Sequence, residues 1–160
     1  MRLVSIIAAI SFALFATACA ADPQPPSKPL PHTVIVIDAA GGAAKFDVEV
    51  AADWRSQEYG LMNRKHLADR AGMIFDFHAP SMASFWMKNT LIPLDMIFIR
   101  EDGTISSISA DAVPMSLNSE KSVEPVRAVL EINGGESARL GILPGQVVHS
   151  AIFGNETKQH

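Results

Sequence analysis

The sequence predicts a β-rich α+β fold: a single compact domain whose mostly antiparallel sheet curls toward a barrel or sandwich, with two short helices. Three observations carry this. Short apolar and β-branched runs recur from Thr33 onward, separated by Gly, Pro and Asp turn signals. Helix start and stop signals bracket only two segments, both brief. A glycine-rich phosphate loop and an alternating βαβ rhythm, the marks of a doubly wound fold, are both missing from the sequence.

Taken in order, Thr33 to Ile37 is a continuous β-branched run and reads as a strand. Phe46, Val48 and Val50 alternate with Asp47 and Glu49, giving a second strand with one wet face. Asp53 supplies an N-cap for a helix reaching Tyr59, and Gly60 ends it. Gly72 to Phe77 and Ala83 to Lys88 read as strands around a His78-Ala79-Pro80-Ser81 turn. Leu94 to Arg100 is nearly all apolar, as a central strand would be. Asp102-Gly103 predicts a hairpin returning into Thr104 to Ala110. Pro114 to Pro125 reads as loop, and Val126 to Ile132 as another apolar strand. Asn133-Gly134-Gly135 opens a second helix, Glu136 to Leu140, which Gly141 terminates. Pro144-Gly145 then turns the chain into a last strand, Gln146 to Phe153.

The composition, 48% apolar and 19% charged, suits one globular domain able to fold on its own core. Its formal charge is −4, becoming −5 once Arg2 is removed with residues 1–18, and the 13 cations are scattered. That distribution argues against a nucleic-acid partner. Arg2 and the apolar Leu3 to Phe15 read as an export signal, too short for a membrane span. Two cleavages fit. Ala16-Thr17-Ala18 before Cys19 resembles a lipobox, which would lipidate Cys19 and anchor a periplasmic lipoprotein; Ala18-Cys19-Ala20 would instead release a soluble exported protein. Residues 19–31, with five prolines from Ala21 to Pro31, form a linker suited to hold a domain off a membrane. The domain spans 32–154 and a polar tail 155–160. Cys19 is the only cysteine, so the mature domain has no internal disulfide.

The segment Ser84 to Asp95 holds the most unusual chemistry. It places Lys88, Asn89, Thr90 and Asp95 in otherwise apolar surroundings, where unpartnered polar groups cost several kcal/mol. Strand parity turns Phe85 and Met87 inward and sets Trp86 beside Lys88 on the other face. Pro93 keeps Ile92 extended, and a turn there would bring Asp95 back toward Lys88. Two readings follow: a pocket lined by Trp86, Lys88, Asn89, Thr90 and Asp95, or a structural Lys88–Asp95 pair at an awkward turn. Arg64 could join Asp95 or Glu131. Glu131 lies in an apolar strand and calls for a cation, with Arg64, Lys88 or Arg139 as candidates.

These motifs resemble the domain of unknown function 192 family. The matching stretches are Gly60-Leu61-Met62-x-Arg64, Gly72-Met73-Ile74-Phe75-x-Phe77, the block from Ser84 to Asp95, Val129 to Asn133, and Gly141-Ile142 to Gly145. Met115-Ser116-Leu117 departs from the more polar stretch expected there. The resemblance implies a compact β-rich domain, often exported or lipid-anchored, and supplies no activity and no catalytic residue.

Six methionines (Met62, Met73, Met82, Met87, Met96 and Met115), with His66 and His78, make the soft-ligand inventory of a Cu(I) carrier, although no two are closely spaced. No zinc-type spacing and no Gly-x-Ser-x-Gly elbow occur in the sequence. The expectation is an exported, non-catalytic envelope module without cofactor or metal. It presents a pocket to a small anionic ligand or an envelope protein, and touches the membrane only through its N-terminal anchor. The alternatives are a hydrolase- or lyase-type enzyme using Lys88 and Asp95, and an envelope Cu(I) binder.

Overall fold

In the computed structural model, which describes residues 22–156, nine strands and two short helices build one curled mixed sheet with a small second sheet beside it. The expected leader, Cys19 and the last four tail residues lie outside the described residues. The strands are β1 (His32–Ala39), β2 (Gly42–Ala51), β3 (Ala71–Ser81), β4 (Ser84–Phe85), β5 (Leu94–Ile99), β6 (Ile105–Ala112), β7 (Glu120–Lys121), β8 (Val126–Asn133) and β9 (Val148–His149). The helices are α1 (Trp54–Tyr59) and α2 (Glu136–Leu140).

The main sheet runs β6-β5-β8-β3-β2-β1-β9, and β4 pairs with β7 alone. All ladders are antiparallel except β2–β3. A parallel pair needs a crossover, and α1 with the loop to Arg70 provides it. Residues Gly145 to Val148 touch both edges of the sheet. Asp38 donates its amide to the Val147 carbonyl, while Ile105 and Val148 bond the Gln146 and Gly103 carbonyls at 2.8 Å each. These bonds bend the sheet toward closure.

Strand parity separates two cores. Ile35, Ile37, Phe46, Val48, Ile74, Ile97, Leu130 and Ile132 fill the inside of the curl. Met73, Phe75, Met96, Phe98 and Val129 face the other way and are covered by Leu61, Leu67, Ala83 and Met87. The candidate site belongs to this second face.

Four elements differ from expectation. β3 runs on through the expected His78–Ser81 turn, its pairing with β8 shifting register between Asp76 and Ser81. The strand read over Ala83 to Lys88 stops at Phe85, because Met87 and Thr90 exchange backbone bonds with the 115–116 loop instead of a ladder. The last strand shortens to Val148–His149 and gives way to a 3-10 turn, Ala151–Phe153, capped by Ser150. β7 forms inside the segment read as loop. The Pro-rich linker also lies against the domain over its described part: Pro31 accepts from the Val50 amide at 2.8 Å, and Leu30 packs on the second core.

Candidate functional site

α1 begins at Asp53, whose carboxylate accepts the Arg55 and Ser56 amides at 3.0 and 3.1 Å. The Gln57 amide group donates to the Ala51 and Asp76 carbonyls at 3.2 and 2.8 Å, pinning the helix over the ends of β2 and β3. Gly60 ends it with φ 51°, a conformation that favours glycine, and a Cβ there would sit 3.2 Å from the Phe75 ring. The helix end is thereby lowered onto the sheet.

Between α1, the end of β3 and the segment Ser81 to Trp86 opens a cavity of about 410 Å³, within the ~300–1,000 Å³ typical of small-molecule sites. Its walls include Tyr59, Met62, Phe75, Phe77, Phe85 and Trp86. Phe85 meets Phe75 edge-on with centroids 4.8 Å apart, and Phe77 at 6.4 Å. Trp86 stands at the mouth, 47% exposed.

Glu131 lines this cavity and is 5% exposed. Its cross-strand neighbours are Met73 on β3 and Met96 on β5, neither of which offers a proton. Among the described residues it makes no ion pair, and burial alone pushes its carboxyl up to about 8. It is therefore a carboxylic acid at neutral pH, set in an aromatic chamber.

None of the cations proposed for Glu131 reaches it. Arg64 grips Glu49 with two bonds of 2.5 and 2.8 Å, because the loop after α1 passes over β2 rather than β8. Arg139 pairs with Glu136 one turn away on α2, at 2.8 Å. Lys88 binds Asp22 of the linker at 3.0 Å and lies 5.6 Å above the Trp86 ring. The charged residues in the cavity wall are Glu58 and Glu131, with no Lys or Arg among them.

The Lys88–Asp95 arrangement, as pair or as proton-transfer couple, does not form. Asp95 is fully buried on β5 and accepts the amides of Asp111, Gly135 and Ser137 at 2.8, 2.9 and 2.8 Å, plus the Ser137 hydroxyl at 2.5 Å. Gly135 has no side chain with which to cap α2, so Asp95 caps it from another strand. Pro93 packs against Gly134 and accepts its amide at 2.9 Å, which turns Asp95 toward α2 rather than Lys88. Asn89 takes φ 56° at the turn and its carbonyl accepts the Asn63 amide at 2.8 Å. Thr90 is buried and does line the cavity, its hydroxyl donating to the Lys88 carbonyl at 3.4 Å.

Of the sequence candidates, the structure thus gathers Trp86, Thr90 and Glu131 in one cavity. It places Arg64, Lys88, Asn89 and Asp95 outside the wall. Sequence reasoning missed Tyr59, Phe77 and Glu58 as neighbours; Gly60, directly after a capped helix, was the local signal for the close approach that brings them in. Four of the six methionines, Met62, Met73, Met87 and Met96, are at most 4% exposed and serve as core, while Met82 and Met115 remain on the surface.

The family profile described as "Uncharacterized ACR" (DUF192) matches residues 35–150, which takes in the main sheet from Ile35 onward and every residue of the cavity wall. The chain belongs to the DUF192 family. A crystal structure from Sinorhizobium meliloti 1021, named provisionally as a transcription regulator, is similar at 41% identity and a TM-score of 0.76, covering 79% of this chain and 99% of that one. A protein of unknown function from Novosphingobium aromaticivorans DSM 12444 is similar at 43% identity and a TM-score of 0.74, covering 82% of this chain and 94% of that one. No curated protein matches the chain. Both crystal structures share the architecture seen in this DUF192 chain.

Proposed function

We propose that this DUF192 protein is an exported, non-catalytic module of the cell envelope that binds a small ligand in the cavity between α1 and β3. One observation carries the reading: Glu131, buried and without an ion pair among the described residues, lines an aromatic chamber large enough for a small molecule. Burying a polar group without a partner is costly, and a ligand that satisfies it recovers that cost on binding. A carboxyl protonated near neutrality also suits a general acid, but no nucleophilic side chain among the described residues is hydrogen-bonded to Glu131, so binding is the better-supported activity. The provisional naming of the Sinorhizobium meliloti relative finds no support in charge, since this chain is net −4 with dispersed cations.

The N-terminal leader and the cysteine after it support export and a lipid anchor. Asp22 lies three positions after Cys19, a reach of at most about 11 Å. Because Asp22 is held by Lys88 beside Trp86, an anchored chain would carry the cavity mouth close to the membrane surface. Replacing Cys19 by Ser should move the protein from the membrane fraction to the soluble one; unchanged partitioning would refute the anchor. For the pocket, a thermal-shift screen of the mature protein against metabolites should find compounds that raise Tm. That rise should vanish in Ser84→Trp, which fills the mouth from an exposed position. A screen whose hits act equally on both proteins would refute the pocket.

A further inference from the structure

We infer that the ligand of this cavity is a small organic cation, a quaternary ammonium or protonated amine, with Glu131 as its counter-ion. The inference rests on the binding reading above and adds the chemical class. Four features of the site converge on it.

The wall is acidic and aromatic. Glu131 and Glu58 are its charged side chains, and the rings of Tyr59, Phe77, Phe85 and Trp86 offer the electron-rich faces that attract ammonium groups. An anion would meet two carboxyl groups and no positive charge. The cations that the sequence offered to Glu131 are held elsewhere, Arg64 by Glu49, Lys88 by Asp22 and Arg139 by Glu136. None of these three supplies a positive charge to Glu131, and no Lys or Arg lines the cavity, which leaves that place to a ligand. Finally, the aliphatic neighbours Met73 and Met96 cannot solvate a carboxylate, so ionisation of Glu131 becomes favourable chiefly when a cation sits beside it.

The proton balance follows. At neutral pH the empty site holds a carboxylic acid. When a quaternary ammonium ion enters, the O–H bond of Glu131 breaks, its proton leaves to solvent, and a carboxylate–ammonium pair remains. Uptake of a neutral amine reaches the corresponding pair by moving that proton to the amine nitrogen. The other groups facing the site are Glu58 and Tyr59 from α1 and Lys88 across Trp86 at the rim; β3 and β5 present only Met73 and Met96 beside Glu131. Affinity for a quaternary cation should thus rise roughly tenfold per pH unit below the Glu131 pKa and level off above it.

The test is calorimetry of the mature protein with choline, its neutral isostere 3,3-dimethylbutan-1-ol, and butyrate. Choline is expected to bind at least tenfold more tightly than either control. It should release close to one proton per ligand at pH 6–7, read from the difference between buffers of unlike ionisation enthalpy. Glu131→Gln should weaken choline at least tenfold while leaving the circular dichroism spectrum unchanged. Binding of the neutral alcohol or butyrate as tight as choline would overturn the cation assignment yet leave the pocket in place. Choline binding that releases no proton, or survives in Glu131→Gln, would also overturn it. Failure of all three probes, while the metabolite screen finds other pocket-dependent ligands, overturns the cation class alone; failure of both experiments overturns the pocket as well.

Discussion

Two carboxyl groups on adjacent strands, Asp95 and Glu131, show how local partners decide a residue's job. Asp95 is surrounded by donors and caps α2; Glu131 is surrounded by thioethers and keeps its proton. Asp95→Ala removes the acceptor for three backbone amides and a hydroxyl, and should cost about 3–5 kcal/mol in urea unfolding. Lys88→Ala should cost less than about 1 kcal/mol, since its partner Asp22 has a side chain 71% exposed. A loss for Lys88→Ala as large as that for Asp95→Ala would contradict the separate pairings. Both residues stood out in the sequence as polar groups in an apolar block. Their partners could not be read there, because Asp95 bonds residues 16 to 42 positions away.

At the scale of elements, the β3–β8 ladder is the floor of the site. Gly72 lies so close to the Glu131 carbonyl that an added Cβ would collide with backbone, which cannot step aside as a flexible side chain could. Gly72→Ala should therefore destabilise the protein by more than about 2 kcal/mol, and a near-neutral effect in denaturant titration would show that β3 and β8 are less tightly opposed. The linker makes a second testable contact. Leu30→Ser should loosen the Pro31 acceptor and accelerate exchange of the Val50 amide at least tenfold by hydrogen-exchange NMR, whereas unchanged exchange would mean that the strap does not depend on Leu30. The sequence marked the linker by its prolines, but composition describes the stiffness of a segment and not the surface it rests on. The strand cores were legible from alternation alone. The short β4, β7 and β9 were not, because two-residue strands carry no periodicity.

For the whole molecule, the pH dependence of stability adds these local environments together. Glu131 is raised from 4.5 to about 8 in the folded state, so between those values the native protein holds a proton that the unfolded chain has lost. Stability must fall as pH rises through that window, by on the order of 4–5 kcal/mol. His149, raised chiefly by its bond to Asp38, acts in the same direction: its contribution is complete below the unfolded value of 6.5 and is lost as pH passes the folded one. Asp53 and Asp102 are lowered by bonds to Ser56 and Thr104, and their contributions disappear only in acid, below about pH 4. Urea midpoints should thus peak on the mildly acidic side and decline toward pH 8, and Glu131→Gln should flatten most of that decline. A wild-type profile already flat from pH 5 to 8 would remove the buried-acid description. By itself the sequence determined the β-rich class, the main strands, both helices and the family, since alternation, caps and turn residues act over a few neighbouring positions. Only the tertiary structure decided which charges meet. Ion pairing depends on where the crossover, the linker and α2 come to rest, and among the described residues it left Glu131 buried in an aromatic cavity without an ion pair.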